Sequence, residues 1–422
     1  MPSQMEGSLA VARTVARCRP EVVCAYPITP QTHIVEGLSR MVASGELAPC
    51  EFVNVESEFA AMSVAIGASA TGARAYTATA SQGLLYMAEA LFNAAGLGLP
   101  IVMTVANRAI GAPINIWNDH SDAMALRDCG WVQLYATDNQ EAADMHVQAF
   151  RLAQELSLPV MVCMDGFVLT HAFEPLEVPA QGDVDSYLPP FAPRQALDPR
   201  DPVTIGAMVG PEAFTEVRYL AHAKQLEALD ALPALAAEFE RGFGRASGGL
   251  LGSYRCERAR TVIVALGSVL GTLEEVVDEL QADGRAVGAL AVKSFRPFPL
   301  AELRRALSEA AHVIVLERAF AVGVGGIVSA DVHAALAGLN IPIHTVIAGL
   351  GGRAITRRSL RTMLDDAHAG RLGQPQFLDL NTELVGRELA RAREGGTEGA
   401  RRPGPHAENI LRDLGIVAAG PV

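Results

Sequence analysis

The sequence contains few cysteines, and none of them stands at the short spacing that metal clusters require. Six cysteines are scattered among 422 residues, and no Cys-x-x-Cys pair occurs. Iron–sulfur and zinc sites need several thiolates close together, so the sequence predicts neither kind of site. We expect the thiols to be small buried groups in a reducing compartment. The six positions are Cys18, Cys24, Cys50, Cys129, Cys163 and Cys256.

The chain also lacks a long apolar run and a basic surface. Its richest apolar stretch, 88–106, is interrupted by Glu89 and Pro100 and does not predict a membrane span. Near the N-terminus, Glu6 and Arg13 interrupt any apolar core of a signal peptide. The formal net charge of −13 leaves no basic stripe for phosphate contacts. We therefore expect a soluble, cytoplasmic protein that binds neither membranes nor nucleic acid.

Apolar sequence is abundant and is organised as alternating strands and helices. Half of the residues are apolar, and near-continuous apolar strands separated by helices indicate a parallel sheet covered on both faces. We therefore predict an α/β fold. Its predicted parts are an α/β domain at 1–172, a Pro-rich connector with a helical segment at 173–258, a second α/β domain at 259–355 and a C-terminal tail at 356–422. Within the tail, residues 393–405 are predicted to form a flexible surface loop.

Unusual polar segments follow the predicted strands of the first domain. In open parallel sheets, ligands bind beyond the carboxyl ends of the strands. We therefore predict that these segments crowd one edge of the sheet and form a site there. They are Tyr26–Pro30 (Tyr-Pro-Ile-Thr-Pro), Glu56–Glu58 (Glu-Ser-Glu), Thr79–Gly83 (Thr-Ala-Ser-Gln-Gly), Asn107–Arg108 and Asn118–Asp122.

These segments resemble, in the same order, motifs in the first domain of the pyruvate:ferredoxin oxidoreductase family. Asn-Arg-Ala, Asp-His-x-Asp and Asp-Gly-Phe-x-x-x-His match that domain as well. The resemblance covers about residues 5–190 and continues less specifically through 260–350, where Ser294–Pro299 and Val315–Arg318 match the second domain. It implies that the first α/β domain is a thiamine-enzyme pyrimidine-type domain. The second would then be a transketolase C-terminal-like domain.

The resemblance implies that Glu58 is the catalytic carboxylate. In thiamine enzymes a carboxylate bonds N1′ of the cofactor's aminopyrimidine and favours the imino form, whose N4′ removes the proton from thiazolium C2. An alternative interpretation needs no cofactor, since Ser57 could cap the helix while Glu58 favours its positive end. Glu56, at the end of the strand, is predicted to be structural.

Thr29 and Arg108 are the other two predicted catalytic residues. Thr29 matches the family's threonine that contacts substrate and cofactor, although a turn fixed by the flanking prolines is an alternative. Arg108 matches the arginine that engages the carboxylate of the 2-oxoacid, a role that suits its fork of donors. A surface ion pair is the alternative for Arg108.

The predicted cofactor-binding residues are Glu58, Thr29, Pro30, Ser81 and Gln82. Ser81 and Gln82 begin a helix, where free backbone amides can meet polar cofactor atoms. An ordinary helix cap would explain Ser81 equally well.

Aspartate and histidine residues nearby do not have the spacing of a standard metal site. We predict that Asp119, His120 and Asp122 organise their loop by hydrogen bonds. His171 is predicted to be structural, and no metal site is predicted on this chain.

One absent motif bears on where the cofactor is held. Thiamine enzymes generally bind the diphosphate through Mg²⁺ at a Gly-Asp-Gly motif, and this sequence contains none. The resemblance then implies that thiamine diphosphate is shared with a beta subunit carrying the diphosphate and Mg²⁺. It also implies iron–sulfur clusters on partner chains, a gamma subunit, a ferredoxin-like iron–sulfur subunit and, in some relatives, a flavin or NAD subunit.

The implied reaction is the coenzyme A-dependent oxidative decarboxylation of a 2-oxoacid, with electrons passed to the iron–sulfur clusters of partner chains. Pyruvate is the expected substrate, because the chain begins with this domain and no gamma domain is fused in front. An aromatic or branched-chain 2-oxoacid such as phenylglyoxylate, with NAD as final acceptor, is an alternative. Two others are a non-catalytic scaffold that assembles the beta chain, and a transketolase-like protein without redox partners.

Overall fold

The computed structural model describes residues 2–394 and 406–416. They form two compact units, one ending at Gln376 and the other beginning at Phe377. Residues 395–405 of the predicted loop lie outside the described residues. Within the described ranges, no helix is both long enough and apolar enough to cross a bilayer.

The first half of the chain alternates between strands and helices, as predicted. In chain order they are β1 (Ser3–Glu6), α1 (Gly7–Arg17), β2 (Val22–Ala25), α2 (Thr32–Ala43), β3 (Glu51–Asn54), α3 (Glu58–Ala70), β4 (Ala75–Thr79), α4 (Ser81–Tyr86), α5 (Ala88–Gly96), β5 (Val102–Asn107), α6 (Ser121–Ala125), β6 (Val132–Tyr135), α7 (Asn139–Leu156), β7 (Val160–Asp165), β8 (Phe173–Leu176) and α8 (Gln181–Tyr187).

The remaining elements begin with a long helix and continue into the second α/β region. They are α9 (Phe214–Phe243), β9 (Leu251–Tyr254), β10 (Thr261–Ala265), α10 (Val269–Ala282), β11 (Val287–Val292), β12 (Ser294–Arg296), α11 (Leu300–Leu307), β13 (His312–Glu317), α12 (Val328–Ala335), β14 (Ile343–Ile347), a 3₁₀ turn (Leu350–Gly352), α13 (Arg357–His368), β15 (Gln376–Phe377), α14 (Thr382–Glu394) and α15 (His406–Asp413).

The first sheet places the predicted strands of the first domain side by side. Its order is β12-β6-β7-β5-β4-β2-β3, with parallel neighbours except for the antiparallel strand β12. Val102 of β5 pairs with Tyr76 of β4 on one side and with Val160 of β7 on the other. The predicted α/β fold is confirmed, and the carboxyl ends of the parallel strands meet at one edge.

Side-chain size explains how closely helices cover this sheet. Strands β4, β5 and β7 consist of buried residues throughout, as expected for strands covered on both faces. Helix α3 is rich in alanine and other small residues, which lets its backbone approach the strands. The thiol of Cys24 on β2 accordingly donates a hydrogen bond to the carbonyl oxygen of Ala61 on α3 at 2.8 Å.

The second sheet lies in the same compact unit. Five of its strands have the order β14-β13-β10-β11-β9, and β9 alone among these is antiparallel to its neighbour. The next strand, β12, joins the first sheet instead, where Ser294 pairs with Leu134 of β6. One apolar core cluster contains Trp131, Val264 and Phe295 and so continues from one α/β region into the other.

One small sheet was not predicted, whereas the predicted helical segment of the connector is present. Strands β1 and β8 form a small antiparallel sheet that the sequence analysis did not predict, because four-residue strands carry little periodic signal. The connector was predicted to hold a helical segment, and it contains the 30-residue helix α9. The limits of the four predicted parts stay a prediction.

Candidate active site

Glu58 is the first residue of α3 and is only 8% exposed. Ser57 caps the helix, since its side-chain oxygen accepts a hydrogen bond from the amide of Ala60 at 3.2 Å. Within residues 2–394 and 406–416, no group hydrogen-bonds to or forms an ion pair with the Glu58 carboxylate. Buried carboxylates are normally paired. The buried, unpaired carboxylate of Glu58 is therefore a candidate ligand-binding group.

A glycine makes room for this carboxylate. A Cβ at Gly83 of α4 would lie 2.5 Å from Oε1 of Glu58 and 2.7 Å from Oγ1 of Thr79. At such distances an added side chain would displace the Glu58 carboxylate, so glycine allows the carboxylate to lie where it does. The Thr79 hydroxyl is buried and has no hydrogen-bond partner among the described residues. The carboxylate of Glu58 and the hydroxyl of Thr79 thus both lie beside Gly83.

Arg108 follows strand β5 and reaches the loop after β2. Its Nη1 donates a hydrogen bond to the carbonyl oxygen of Thr29 at 2.9 Å, and its Nε donates to the carbonyl oxygen of Asn115 at 3.2 Å. Burial lowers the pKa of Arg108, an effect that the Asp122 carboxylate opposes. Nη2 has no hydrogen-bond partner in the described part of the chain, so its two N–H groups are available to an anionic ligand.

The carboxylate of Asp122 ties two strand ends together. It accepts hydrogen bonds from the backbone amides of Ser81 at 2.9 Å and Arg108 at 3.0 Å, and from the side-chain amide of Asn107 at 2.9 Å. Complete burial raises the pKa of Asp122 to about 6, although these hydrogen bonds oppose the shift. Asp122 thereby fixes the start of α4, which carries Gly83, relative to Arg108.

Ser81 and Gln82 form the turn from β4 into α4. Ser81 is fully buried with a φ of +49°, a left-handed conformation that is strained for a residue other than glycine. Its hydroxyl donates to the carbonyl oxygen of Ala109 at 2.5 Å and contacts Oε1 of Gln82. The alternative of an ordinary helix cap at Ser81 is wrong, because the N-cap residue is Ala80 and no side chain caps this helix.

Pro30 is buried beside the end of strand β7. A Cβ at Gly166 would lie 2.7 Å from Cγ of Pro30 and 2.5 Å from the carbonyl oxygen of Asn107. The glycine of the Asp-Gly-Phe motif therefore allows the loop after β2 to pack against the ends of β5 and β7.

A second buried carboxylate, Asp165, fixes the two sheets to each other. Oδ2 accepts hydrogen bonds from Nη1 of Arg318 and from the amide of Ser268, each at 2.8 Å, and Oδ1 lies 2.7 Å from Nε2 of His120. Burial by itself would raise the pKa of Asp165, but Arg318, His120 and these hydrogen bonds hold it well below its usual range. Ser268 and Arg318 follow strands β10 and β13 of the second sheet.

The loop at 118–122 is held by hydrogen bonds, which fits its predicted role. Oδ1 of Asp119 accepts from the amide of Ser121 at 3.0 Å, and Oδ2 accepts from the amide of Gly351 at 3.2 Å. The amide of His120 donates to the carbonyl oxygen of Arg318 at 3.0 Å.

The structure brings most of the predicted site residues together. Thr29 is in direct contact with Arg108, Asp122 joins Arg108 to Ser81, and Glu58 meets the same helix through Gly83. The catalytic and cofactor-binding roles stay predictions. Sequence reasoning missed the close approach of Gly83 to Glu58 and to Thr79, and the network around Asp165. The motifs that carry these residues are visible in the sequence, but their spacing along the chain does not reveal which of the residues come close together.

The fold and the site define a class of protein: an α/β protein with polar motifs gathered at the carboxyl edge of a parallel sheet, around a buried carboxylate that has no partner among the described residues. Two family models match the chain. One is described as pyruvate flavodoxin/ferredoxin oxidoreductase, thiamine diphosphate-binding, and matches residues 13–235; the other is pyruvate:ferredoxin oxidoreductase core domain II and matches residues 259–360. The chain belongs to the pyruvate:ferredoxin oxidoreductase family, as an alpha-type subunit.

Several curated relatives are similar over nearly their whole length. Pyruvate synthase subunit PorA of Methanosarcina barkeri is 48% identical over 390 residues, which cover 90% of this chain and 97% of that protein. PorA of Pyrococcus furiosus is 41% identical over 391 residues, covering 90% and 98%. Ketoisovalerate oxidoreductase subunit VorA of Pyrococcus horikoshii is 39% identical over 365 residues, covering 86% and 92%.

A solved structure shares the fold. It is a 2-oxoglutarate:ferredoxin oxidoreductase from Magnetococcus marinus with 2-oxoglutarate, coenzyme A and succinyl-CoA bound. The TM-score is 0.66 at 21% sequence identity, and the match covers 86% of this chain and 65% of that chain.

Proposed function

We propose that this chain is the alpha subunit of a thiamine-diphosphate-dependent enzyme that oxidatively decarboxylates pyruvate. Coenzyme A accepts the acetyl group, carbon dioxide leaves, and two electrons pass to iron–sulfur clusters on partner chains. Relatives named pyruvate synthase subunits, at 41% to 48% identity, support pyruvate as the substrate. The relative named for ketoisovalerate makes a branched-chain 2-oxoacid the second candidate.

The observation that carries the proposal is the buried Glu58 carboxylate without a partner in the described chain. An aminopyrimidine ring fits this carboxylate chemically, because its ring nitrogen N1′ offers the hydrogen-bonding partner that the buried Glu58 lacks within the described chain. Thiamine diphosphate, when bound, supplies the electron sink for decarboxylation. Glu58 holds the proton at the aminopyrimidine N1′ and so orients the ring. A scaffold without catalysis would gain nothing from leaving this carboxylate buried and unpaired.

Arg108 and Thr29 form the substrate side of the proposed site. The free Nη2 donors of Arg108 bind the carboxylate of the 2-oxoacid, while its other two contacts hold the guanidinium in place. Thr29 lies against substrate and cofactor, with its carbonyl oxygen bound to Arg108. Pro30, Ser81 and Gln82 line the cofactor side, and Asp122 keeps the two sides in register.

We further propose that this chain holds neither Mg²⁺ of the cofactor nor an iron–sulfur cluster. No Gly-Asp-Gly motif occurs in the sequence, and the six cysteines are free, four of them buried and two half-buried. The diphosphate with its Mg²⁺ then belongs to a beta subunit, and the clusters belong to a ferredoxin-like subunit, with a gamma subunit completing the complex. Free cysteines also support a cytoplasmic location.

The test of the reaction is a substrate panel on the purified complex. Reduction of ferredoxin and of NAD is followed with pyruvate, 2-oxoisovalerate, phenylglyoxylate and 2-oxoglutarate, with and without coenzyme A. We expect pyruvate to give the highest kcat/KM, strict dependence on coenzyme A, and electron transfer to ferredoxin. A higher kcat/KM for 2-oxoisovalerate or phenylglyoxylate would transfer the proposal to that 2-oxoacid. No turnover of any 2-oxoacid would contradict it.

The test of the shared site is calorimetry on separate and recombined subunits. The isolated chain should bind no thiamine diphosphate in the presence of Mg²⁺, and addition of the beta subunit should create one site per pair. Because such a cofactor is buried between chains, the interface is expected to be large and the isolated chain less stable. Micromolar, Mg²⁺-dependent binding of thiamine diphosphate to the isolated chain would overturn the shared site.

A further inference from the structure

Three side chains of types that can bind metals, none of them used in the proposed reaction, come close together. Glu6 ends strand β1, His33 lies in the first turn of α2, and His171 lies in the turn after β7. One ligand atom from each residue lies within 4.8 Å of the other two. Among the described residues, this is the single group of three or more His, Cys, Asp or Glu side chains that meets that condition.

The distances between these side chains are short. Nδ1 of His33 lies 2.6 Å from Oε1 of Glu6. The rings of His33 and His171 have centroids 4.8 Å apart. The side chain of His33 is 46% exposed, so its ring can rotate to bring a nitrogen closer to His171. The three groups can therefore surround one small ion with little change in the backbone.

Backbone hydrogen bonds hold Glu6 and His171 next to each other. The amide of Gly7 donates to the carbonyl oxygen of Ala172 at 3.0 Å, and the amide of Ser8 donates to the carbonyl oxygen of Thr170 at 3.0 Å. The residues on either side of His171 are thus bound to the residues directly after Glu6. Two of the three ligands are positioned before any ion binds, which favours affinity because less conformational freedom is lost.

The ring of His171 is also oriented by its neighbours. Its Nδ1 lies 2.7 Å from Oγ1 of Thr170, and its ring contacts that of Phe167 at 4.7 Å. A ligating histidine usually donates its other ring N–H to an oxygen acceptor, which fixes both tautomer and orientation. In the tautomer with its proton on Nδ1, His171 donates to the hydroxyl oxygen of Thr170 and offers Nε2 to an ion.

We propose that Glu6, His33 and His171 form a binding site for one Zn²⁺ ion, with an open position for water. Two imidazoles and one carboxylate are a ligand set that Zn²⁺ uses. Mg²⁺ and Ca²⁺ prefer oxygen ligands and are not retained by two imidazoles. The ion ties β1, α2 and the turn after β7 together, and it stabilises the folded chain because the three ligands are not assembled in the unfolded state.

The site is independent of the proposed reaction and is tested by metal binding. The full chain is stripped with a chelator, desalted and titrated with Zn²⁺ by calorimetry in excess Mg²⁺. Co²⁺ is used in parallel, with its visible absorption as the readout. We expect one equivalent of Zn²⁺ per chain and a rise in melting temperature on binding. Substitution of Glu6→Gln should lower the affinity at least about 10-fold, and His33→Ala with His171→Ala should abolish binding.

Two matched controls separate the site from general binding by histidines. His312 and His344 form another pair, with ring centroids 6.3 Å apart and no carboxylate grouped with them in the described residues; His344→Ala should leave Zn²⁺ binding unchanged. Thr170→Val should weaken binding about 10- to 100-fold, and Thr170→Ser should restore it, since the hydroxyl group rather than the methyl group of Thr170 bonds His171. Absence of stoichiometric Zn²⁺ binding, or equal affinity in the wild type and the His33→Ala, His171→Ala double variant, would overturn the proposal.

Discussion

Asp165 and Arg318 form a buried ion pair at 2.8 Å between residues 153 positions apart in the sequence. Asp165 ends strand β7 of the first sheet, and Arg318 follows strand β13 of the second. The pair lies in a network with His120, whose loop also carries Asp122. A contact between the two sheets is thus connected to the loop that positions Arg108.

Loss of this ion pair should destabilise the protein strongly. Asp165→Asn leaves the Arg318 guanidinium buried without a counter-charge, so we expect the free energy of unfolding to fall by about 3–5 kcal/mol. Urea unfolding of the wild type and the variant at neutral pH measures this decrease in the free energy of unfolding. Because the pKa of Asp165 is held below its usual range, its stabilising contribution is complete above about pH 4 and is lost as the pH falls through the folded-state pKa. Asp198→Asn, in an exposed pair with Arg200, is the control and should change little. Equal effects of the two substitutions would contradict this assignment.

Gly83→Ala should disrupt the site. The added Cβ would meet Oε1 of Glu58 at 2.5 Å, so the carboxylate must move, and a shift of this size can lower kcat/KM by about 100-fold. Gly67→Ala, in helix α3, is the matched control, because an added Cβ there would have no described atom within 4 Å outside its own part of the helix. It should leave activity unchanged and stabilise slightly, since alanine favours the helix. Full activity of the Gly83→Ala complex would show that the carboxylate position is not critical.

Glu58→Gln should nearly abolish turnover while the complex still assembles. Glutamine keeps the shape of the side chain but cannot supply the carboxylate that N1′ of the cofactor requires. Residual kcat/KM above about a tenth of wild type would remove Glu58 from this role. Glu56→Gln is the control. Glu56 is exposed shortly after β3, so this substitution should lower kcat/KM much less than Glu58→Gln. If the ranking were reversed, the wrong carboxylate would have been chosen.

Arg108→Ala should raise KM for the 2-oxoacid sharply and lower kcat/KM, because a charge-assisted contact to the substrate carboxylate is lost. Arg108→Lys should restore binding only in part, since an ammonium group cannot replace both the contact to Thr29 and the free donors. Steady-state kinetics over a range of 2-oxoacid concentrations decide this. An unchanged KM in both variants would place the substrate carboxylate elsewhere.

A buried histidine should make the fold sensitive to mild acid. His146 is completely buried, and burial lowers its pKa to about 4. The unfolded chain therefore takes up a proton near pH 6.5 that the folded chain refuses, so stability is lost as the pH falls from 6.5 through about 4. Unfolding curves at several pH values give the free energy of unfolding as a function of pH. Its decrease toward acid pH should be steeper in the wild type than in His146→Gln. His222→Gln, at an exposed position on α9, should keep the wild-type slope; identical slopes in all three proteins would exclude His146 as the cause.

The sequence by itself determined the parallel strands of the first sheet and the residues that follow them. Helix α3 begins at Glu58 with Ser57 as its cap, which the sequence analysis considered for Glu-Ser-Glu. Strand β4 runs from Ala75 to Thr79, and the Ser-Gln-Gly turn follows it. These features depend on periodicity, capping and turn chemistry within a few neighbouring residues. Parallel pairing then places their ends at one edge of the sheet.

The tertiary structure alone decided which of these residues meet. The close approach of Gly83 to Glu58 and the pairing of Asp165 with Arg318 join positions that no local pattern relates. Strand β12 follows β11 directly in sequence, yet Ser294 pairs with Leu134 of the first sheet. Such contacts follow from how helices and sheets pack to bury a shared apolar core, and the energy of that packing is a property of the whole compact unit rather than of any segment.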